Sequence, residues 1–371
     1  MFKKSLLVIA ALILVLGVAS VSLGAPAFKI GVVTGTVSQG EDEYRGAEFV
    51  VAKYPGMIEH RTYPDNFMAE QETYIAQITS LAADPAIKAI VINQGVPGTV
   101  AAIRKVKQLR PDILFVIGEP HEDPPVIDPV ADLSLIPNNP ARGQSIPQLA
   151  KKMGAKAFLH YSFPRHMSYA DLAARRDIME QECKKLGMQF VFVNAPDPTG
   201  EGGLPAAQQF ILEDVPRQVA KYGKDIAFFS TNCGMQEPLI TAVLKAGAIF
   251  PEQCCPSPTH GYPGALGLEI TEQMAGNFPA IVKAINAEIV KRGMSGRMAT
   301  WPVASSYLNT VAGVEVAKLA VEKKLNIKDM AAVEKVVEQL AGVPMDFERH
   351  SATGCYYRYL ISSIIFGKDV K

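Results

Sequence analysis

Residues 88–119 read KAIVINQGVPGTVAAIRKVKQLRPDILFVIGE, and this stretch decides the fold. Ala89 to Ile92 and Ile113 to Ile117 are apolar on both parities, which suits strands covered on both faces in a parallel sheet. Between them Val100, Ile103, Val106 and Leu109 recur about every three residues, with Arg104, Lys105 and Lys107 on other faces. That is the pattern of a crossover helix laying one stripe on the sheet, and Pro111 ends it. Asn93, Gln94 and Glu119 gather where the two strands stop, the edge at which open parallel sheets hold ligands.

The alternation continues in both directions. Upstream, Phe28 to Val33 predicts a strand, TGTVSQG a loop and Glu41 to Tyr54 a helix; Met57 to Tyr63 and Met68 to Ala83 predict the next pair. Downstream, the proline-rich HEDPPVIDPVADLSLIPNNPARGQ holds one short strand, Ala131 to Ile136, and reads as a connection between domains. A second series follows, with strands at Ala157 to Tyr161, Gln189 to Val193, Ile226 to Ser230 and Ala248 to Phe250, and helices between and after them. Ser168 is a candidate N-cap and Gly187 the stop of the first of these helices. Trp301-Pro302-Val303 reads as a return crossing. The expected fold class is therefore α/β, two doubly wound parallel-sheet lobes joined by a hinge. Residues 28–138 plus 303–345 form the N-terminal lobe, 139–300 the C-terminal lobe, and 346–371 an extension packing on a lobe or hinge.

The first residues, MFKKSLLVIAALILVLGVASVSLGAPA, have the anatomy of a secretory signal peptide over residues 1–25, cleaved near Gly24 to Ala27. The apolar core is shorter than the ~20 residues a spanning helix needs. Its removal takes Lys3 and Lys4 and no acid, so the formal charge moves from 0 to about −2. That balance speaks against a nucleic-acid or anionic-membrane partner. The expectation is a periplasmic monomer.

Of five cysteines, Cys183 shares helical spacing with Met179 and Leu186 and is expected as a buried free thiol. Cys233 and the Cys254-Cys255 pair each follow a predicted strand, so a disulfide of Cys233 with Cys254 or Cys255 is possible in an oxidising compartment. No C-x-x-C is present, and the six histidines form no tight cluster in sequence, so no metal is expected.

Strand ends supply the candidate ligand-binding set. In the first lobe these are Ser38, Asn93, Gln94 and Glu119; in the second Tyr161, Phe163, Asn194, Asp197 and Asn232; and Trp301 stands at the return crossing. Amides, hydroxyls and carboxylates beside aromatic rings suit a small polar solute. The nucleophile elbow, zinc-protease helix, phosphate loop and dinucleotide fingerprint are all missing, so neither an enzyme nor a cofactor is expected. The rival enzymatic reading rests on His121 or His166 as a base.

The strand and loop KIGVVTGTVSQG, the unit IVINQGVPGTVAAIRKVKQLRPDILFVIGEP and the second βα series together resemble the type I periplasmic binding proteins. The chain also resembles an uncharacterised family of exported bacterial proteins with that fold. The resemblance covers nearly all of the mature chain. It implies a solute-binding protein that closes two lobes around one small polar molecule and docks on the membrane permease of an ABC importer. An exported α/β enzyme, or a ligand-sensing subunit of a membrane receptor, are the alternatives.

Overall fold

The computed structural model describes residues 26–370; the expected signal peptide at 1–25 lies outside the described residues. Strands β1 (Lys29–Thr34), β2 (Ile58–Thr62), β3 (Ile87–Asn93), β4 (Leu114–Gly118) and β5 (Leu133–Pro137) precede β6 (Ala157–Ser162), β7 (Gln189–Asn194) and β8 (Ile226–Ser230). Short β9 (Ala299–Thr300), then β10 (Asp346–Arg349), β11 (Tyr356–Leu360) and β12 (Ile364–Ile365) complete the set. The first sheet has the order β10-β11-β5-β4-β3-β1-β2, parallel except where β10 runs antiparallel to β11. The second has the order β7-β6-β8, all parallel, and is prolonged by bridges from Ala227 to Ile249 and from Phe250 to Met298. The fold is a two-lobe α/β fold of the type I periplasmic-binding-protein kind.

Both sheets carry helices on both faces, which is why their central strands are apolar throughout: β3 and β8 are almost wholly buried. The helix Ser305–Val321 lies on the first sheet. Its approach needs Gly313, since a Cβ there would stand 2.9 Å from Val91 Cγ1. Asn138 accepts from Ala141 N–H at 3.1 Å and caps the helix Asn139–Lys152, which leads the chain into the second lobe.

The chain crosses between lobes three times, at residues 137–139, 300–305 and 360–364. The third crossing differs from the expected layout. Residues 346–360, expected as a packed extension, are two strands of the first sheet, and β12 returns to pair with β9. Ser134 N–H donates to the Cys355 carbonyl at 2.8 Å and Asn138 N–H to that of Tyr359 at 2.6 Å, so β11 continues the ladder that β5 would otherwise leave open.

Candidate functional site

In each sheet the strand order reverses at one point, between β1 and β3 in the first and between β6 and β8 in the second. Ligands of doubly wound sheets bind outside the carboxyl ends of strands at such points. The carboxyl ends of both pairs open on one shared cleft. Its walls include Tyr63, Phe67, Gln94, Glu119 and His121 from the first lobe, and Arg165, Tyr169, Arg175, Asn232 and Cys233 from the second. The cavity between them is about 90 Å³.

Of the expected ligand-binding residues, Gln94, Glu119 and Asn232 line this cleft. Gln94 donates to Glu43 Oε1 at 3.2 Å and meets the His121 ring at 3.0 Å. Glu119 accepts from Ser306 Oγ at 2.8 Å and from the Cys255 thiol at 3.0 Å. The Asn232 side chain accepts from Gly234 N–H at 2.9 Å, capping the turn Cys233–Met235.

The others lie elsewhere. Ser38 is exposed in the first turn after Thr36, while Gly35 and Gln39 take the cleft. Asn93 turns inward and donates to the Ser306 carbonyl at 2.7 Å and to Thr310 Oγ1 at 3.0 Å. Tyr161 is buried in the second-lobe core, its hydroxyl donating to Asp214 Oδ2 at 2.9 Å, and Phe163 packs in the same core. Asn194 is exposed. Trp301 is fully buried in the first-lobe core beside Tyr359, with the Arg142 guanidinium 5.7 Å above its ring. A lone tryptophan at a lobe crossing buries more apolar area as packing than as a cleft wall.

Three arginines missed by the strand-end reading, Arg142, Arg165 and Arg175, come from helices and line the cleft beside the carboxylates of Asp65, Glu119, Glu122, Asp123 and Asp171. Arg165 makes a bidentate pair with Asp197, both bonds at 2.8 Å. Burial works to raise the Asp197 carboxyl, but bonds from Arg165 and Thr199 outweigh it and hold it below the ordinary carboxylate range. Arg142 donates to Glu252 at 2.8 Å, and each side chain is at most 2% exposed. Arg175 has no carboxylate. It is 1% exposed, donates to Asn139 Oδ1 at 2.5 Å, stands 4.9 Å from the Phe229 ring, and leaves Nε and Nη2 without partners. Burial, then the neighbouring Arg142 charge, push its guanidinium down to about 9.

The two histidines of the enzymatic reading meet over Tyr169, whose ring lies 5.4 Å from His121 and 5.6 Å from His166. Burial, then Arg165, lower the His121 ring to about 3, and the same two causes hold His166 well below its ordinary value. Glu43 is raised well above the carboxylate range by burial and then by Glu119. The Cys233, Cys254, Cys255, Cys183 and Cys355 thiols are all free.

The family described as "Protein of unknown function (DUF3798)" matches residues 28–299. The chain belongs to this family. A crystal structure of a proposed transcriptional regulator from Clostridium difficile 630 is 30% identical, with a TM-score of 0.75 over 91% of this chain and 99% of that one. An uncharacterised protein of Treponema pallidum (strain Nichols) is 38% identical over 180 residues, 47% of this chain and 81% of that protein. At lower identity the likeness carries the fold alone. The sugar ABC substrate-binding protein of Bordetella parapertussis 12822 superposes with a TM-score of 0.54 at 12% identity, over 92% of this chain and 90% of that one. A carbohydrate transporter of Acidothermus cellulolyticus 11B in complex with myo-inositol gives 0.51 at 14%, over 85% and 98%. Among the described residues no helix is long and apolar enough to cross a membrane.

Proposed function

We propose that this DUF3798 protein is an exported, periplasmic solute-binding protein that closes its two lobes on a small molecule carrying an anionic group, and delivers it to an ABC-type importer. The observation that carries this reading is Arg175, a buried guanidinium in the cleft wall with two nitrogens unpartnered. A buried charge is retained at such a cost when something supplies its counter-charge, and a carboxylate does so with charge-assisted bonds. The ligand would touch Gln94 and Glu119 from one side and Arg165, Arg175 and Asn232 from the other. Contact with both lobes makes binding favour the closed form, which the permease then recognises.

Binding without chemistry agrees with a His121 ring lowered to about 3, a weak proton acceptor near neutrality. The name of the 30% identical relative supports a second reading, in which the same closure signals the solute instead of delivering it. Capture is common to both. A thermal-shift screen of small carboxylic acids against neutral sugars tests it, since a solute that binds only the folded form raises the melting temperature. The expected hits are carboxylates. A panel in which neutral sugars alone shift the transition would refute the anionic assignment.

A further inference from the structure

The loop CCPSPTHG, residues 254–261, folds back so that two cysteines and a histidine meet the turn that begins at Cys233. Cys233 Sγ lies 3.6 Å from Cys254 Sγ and 3.5 Å from Cys255 Sγ. Donor atoms of Cys233, Cys254 and His260 all fall within 4.8 Å of one another. A zinc–sulfur bond of ~2.3 Å in a tetrahedron sets neighbouring sulfurs about 3.8 Å apart, within a few tenths of an ångström of the spacings around Cys233. A disulfide needs ~2.05 Å.

His260 adds an independent sign. Its Nδ1 is 2.9 Å from the Cys255 carbonyl oxygen and its Nε2 3.2 Å from that of Cys233. A metal-ligating histidine characteristically donates its other nitrogen to a backbone carbonyl, as Nδ1 is placed to do here toward Cys255.

We propose that Cys233, Cys254 and His260 form a Cys2His site for a thiophilic d10 cation of the zinc class, with the fourth position open to water or solute from the cleft. Loading exchanges two thiol protons for the cation: the two S–H bonds break, two metal–sulfur bonds and one metal–nitrogen bond form, and nothing is oxidised or reduced. Soft thiolate donors favour zinc or cuprous copper over calcium or magnesium. All three ligands belong to the second lobe, so the site does not rest on the solute reading. Because Cys233 and Cys254 also line the cleft, the bound ion would become part of its wall.

The test uses the full mature chain, reduced and kept anaerobic, titrated with Co²⁺ alone and then with Zn²⁺. The expected result is one Co²⁺ per chain with intense sulfur-to-cobalt charge-transfer absorption, displaced by Zn²⁺. Cys233→Ser and His260→Asn should weaken zinc binding on the order of 100-fold or more, above what loss of an outer-shell partner does. Cys183→Ser should leave it unchanged, and circular dichroism checks that each variant is folded. Absence of stoichiometric Co²⁺ binding, a cobalt spectrum without sulfur bands, or a Cys233–Cys254 disulfide that forms in the presence of excess zinc would each overturn the proposal. Loss of solute binding in an Arg175 variant that still takes up Co²⁺ would leave this site standing.

Discussion

Replacing Arg175 by methionine should make the solute-free protein more stable and the cleft unable to hold its ligand. The guanidinium is fully buried without a carboxylate, and burial with the Arg142 charge lowers it far below its ordinary value, to about 9. Carrying the charge therefore costs about 5 kcal/mol. The folded value is the depressed one, so this cost is present in full below pH 9 and is relieved only as pH rises above it. Arg175→Met removes the charge and keeps much of the volume. It also forfeits the bond to Asn139 and the contact with Phe229, together worth roughly 3 kcal/mol. The net expectation is a gain of about 2 kcal/mol at pH 7.4, seen in calorimetry as a melting temperature higher by roughly 3 °C. The same substitution removes a charge-assisted bond to the solute, about 1.5–3 kcal/mol, so affinity for any carboxylate that shifts the wild type should fall roughly 10- to 150-fold. A variant that melts lower than the wild type while binding that carboxylate equally well would refute the reasoning.

The remaining predictions concern the frame around the cleft. His160 is fully buried among Phe190, Phe192 and Phe229, with both nitrogens unpartnered and its ring lowered to about 3 by burial, then by Arg175 and Arg176. Below pH 6.5 the unfolded ring takes a proton that the folded one refuses, so His160→Phe should lose about 2 kcal/mol less than the wild type between pH 7 and pH 5. Urea titrations at both pH values check this; parallel losses would contradict it. Glu252→Gln leaves Arg142 buried beneath the hinge with its ion pair broken and should cost about 3–5 kcal/mol, read as a lower urea midpoint. Across the cleft, Arg358 donates to Asp171 at 2.7 Å and Thr259 to Asp42 at 2.5 Å. Asp171→Ala with Thr259→Val should shift the solute-free protein toward an open form, visible as a larger radius of gyration in X-ray scattering; an unchanged radius would contradict the hinge.

The fold was legible because each inner strand of the first sheet is a short apolar run bounded by turn residues, a local pattern that survives in one dimension. Residues 346–360 were not, because an edge pair at the end of the chain joins a strand more than two hundred residues earlier, and nothing in ERHSATGCYYRYL names that partner. The site divides along the same line. Gln94, Glu119 and Asn232 reach the cleft because strand ends point there by topology. Asn93 is next to Gln94 in sequence, yet the period of two sends it to the helix Ser305–Val321. Arg175 sits on a helix that also carries the exposed Asp177, Glu180, Lys184 and Lys185, and only the packed neighbours separate a buried arginine from a solvated charge. Cys233 and Cys254 are twenty-one residues apart, and their meeting depends on how the loop after Phe250 folds back.

The most direct test of the central claim is native mass spectrometry of the mature protein isolated from its own compartment without refolding. The account predicts a chain mass accompanied by one small anionic molecule, present in the wild type and absent from Arg175→Met. A bare chain in both proteins, with no carboxylate restoring an adduct, would contradict it.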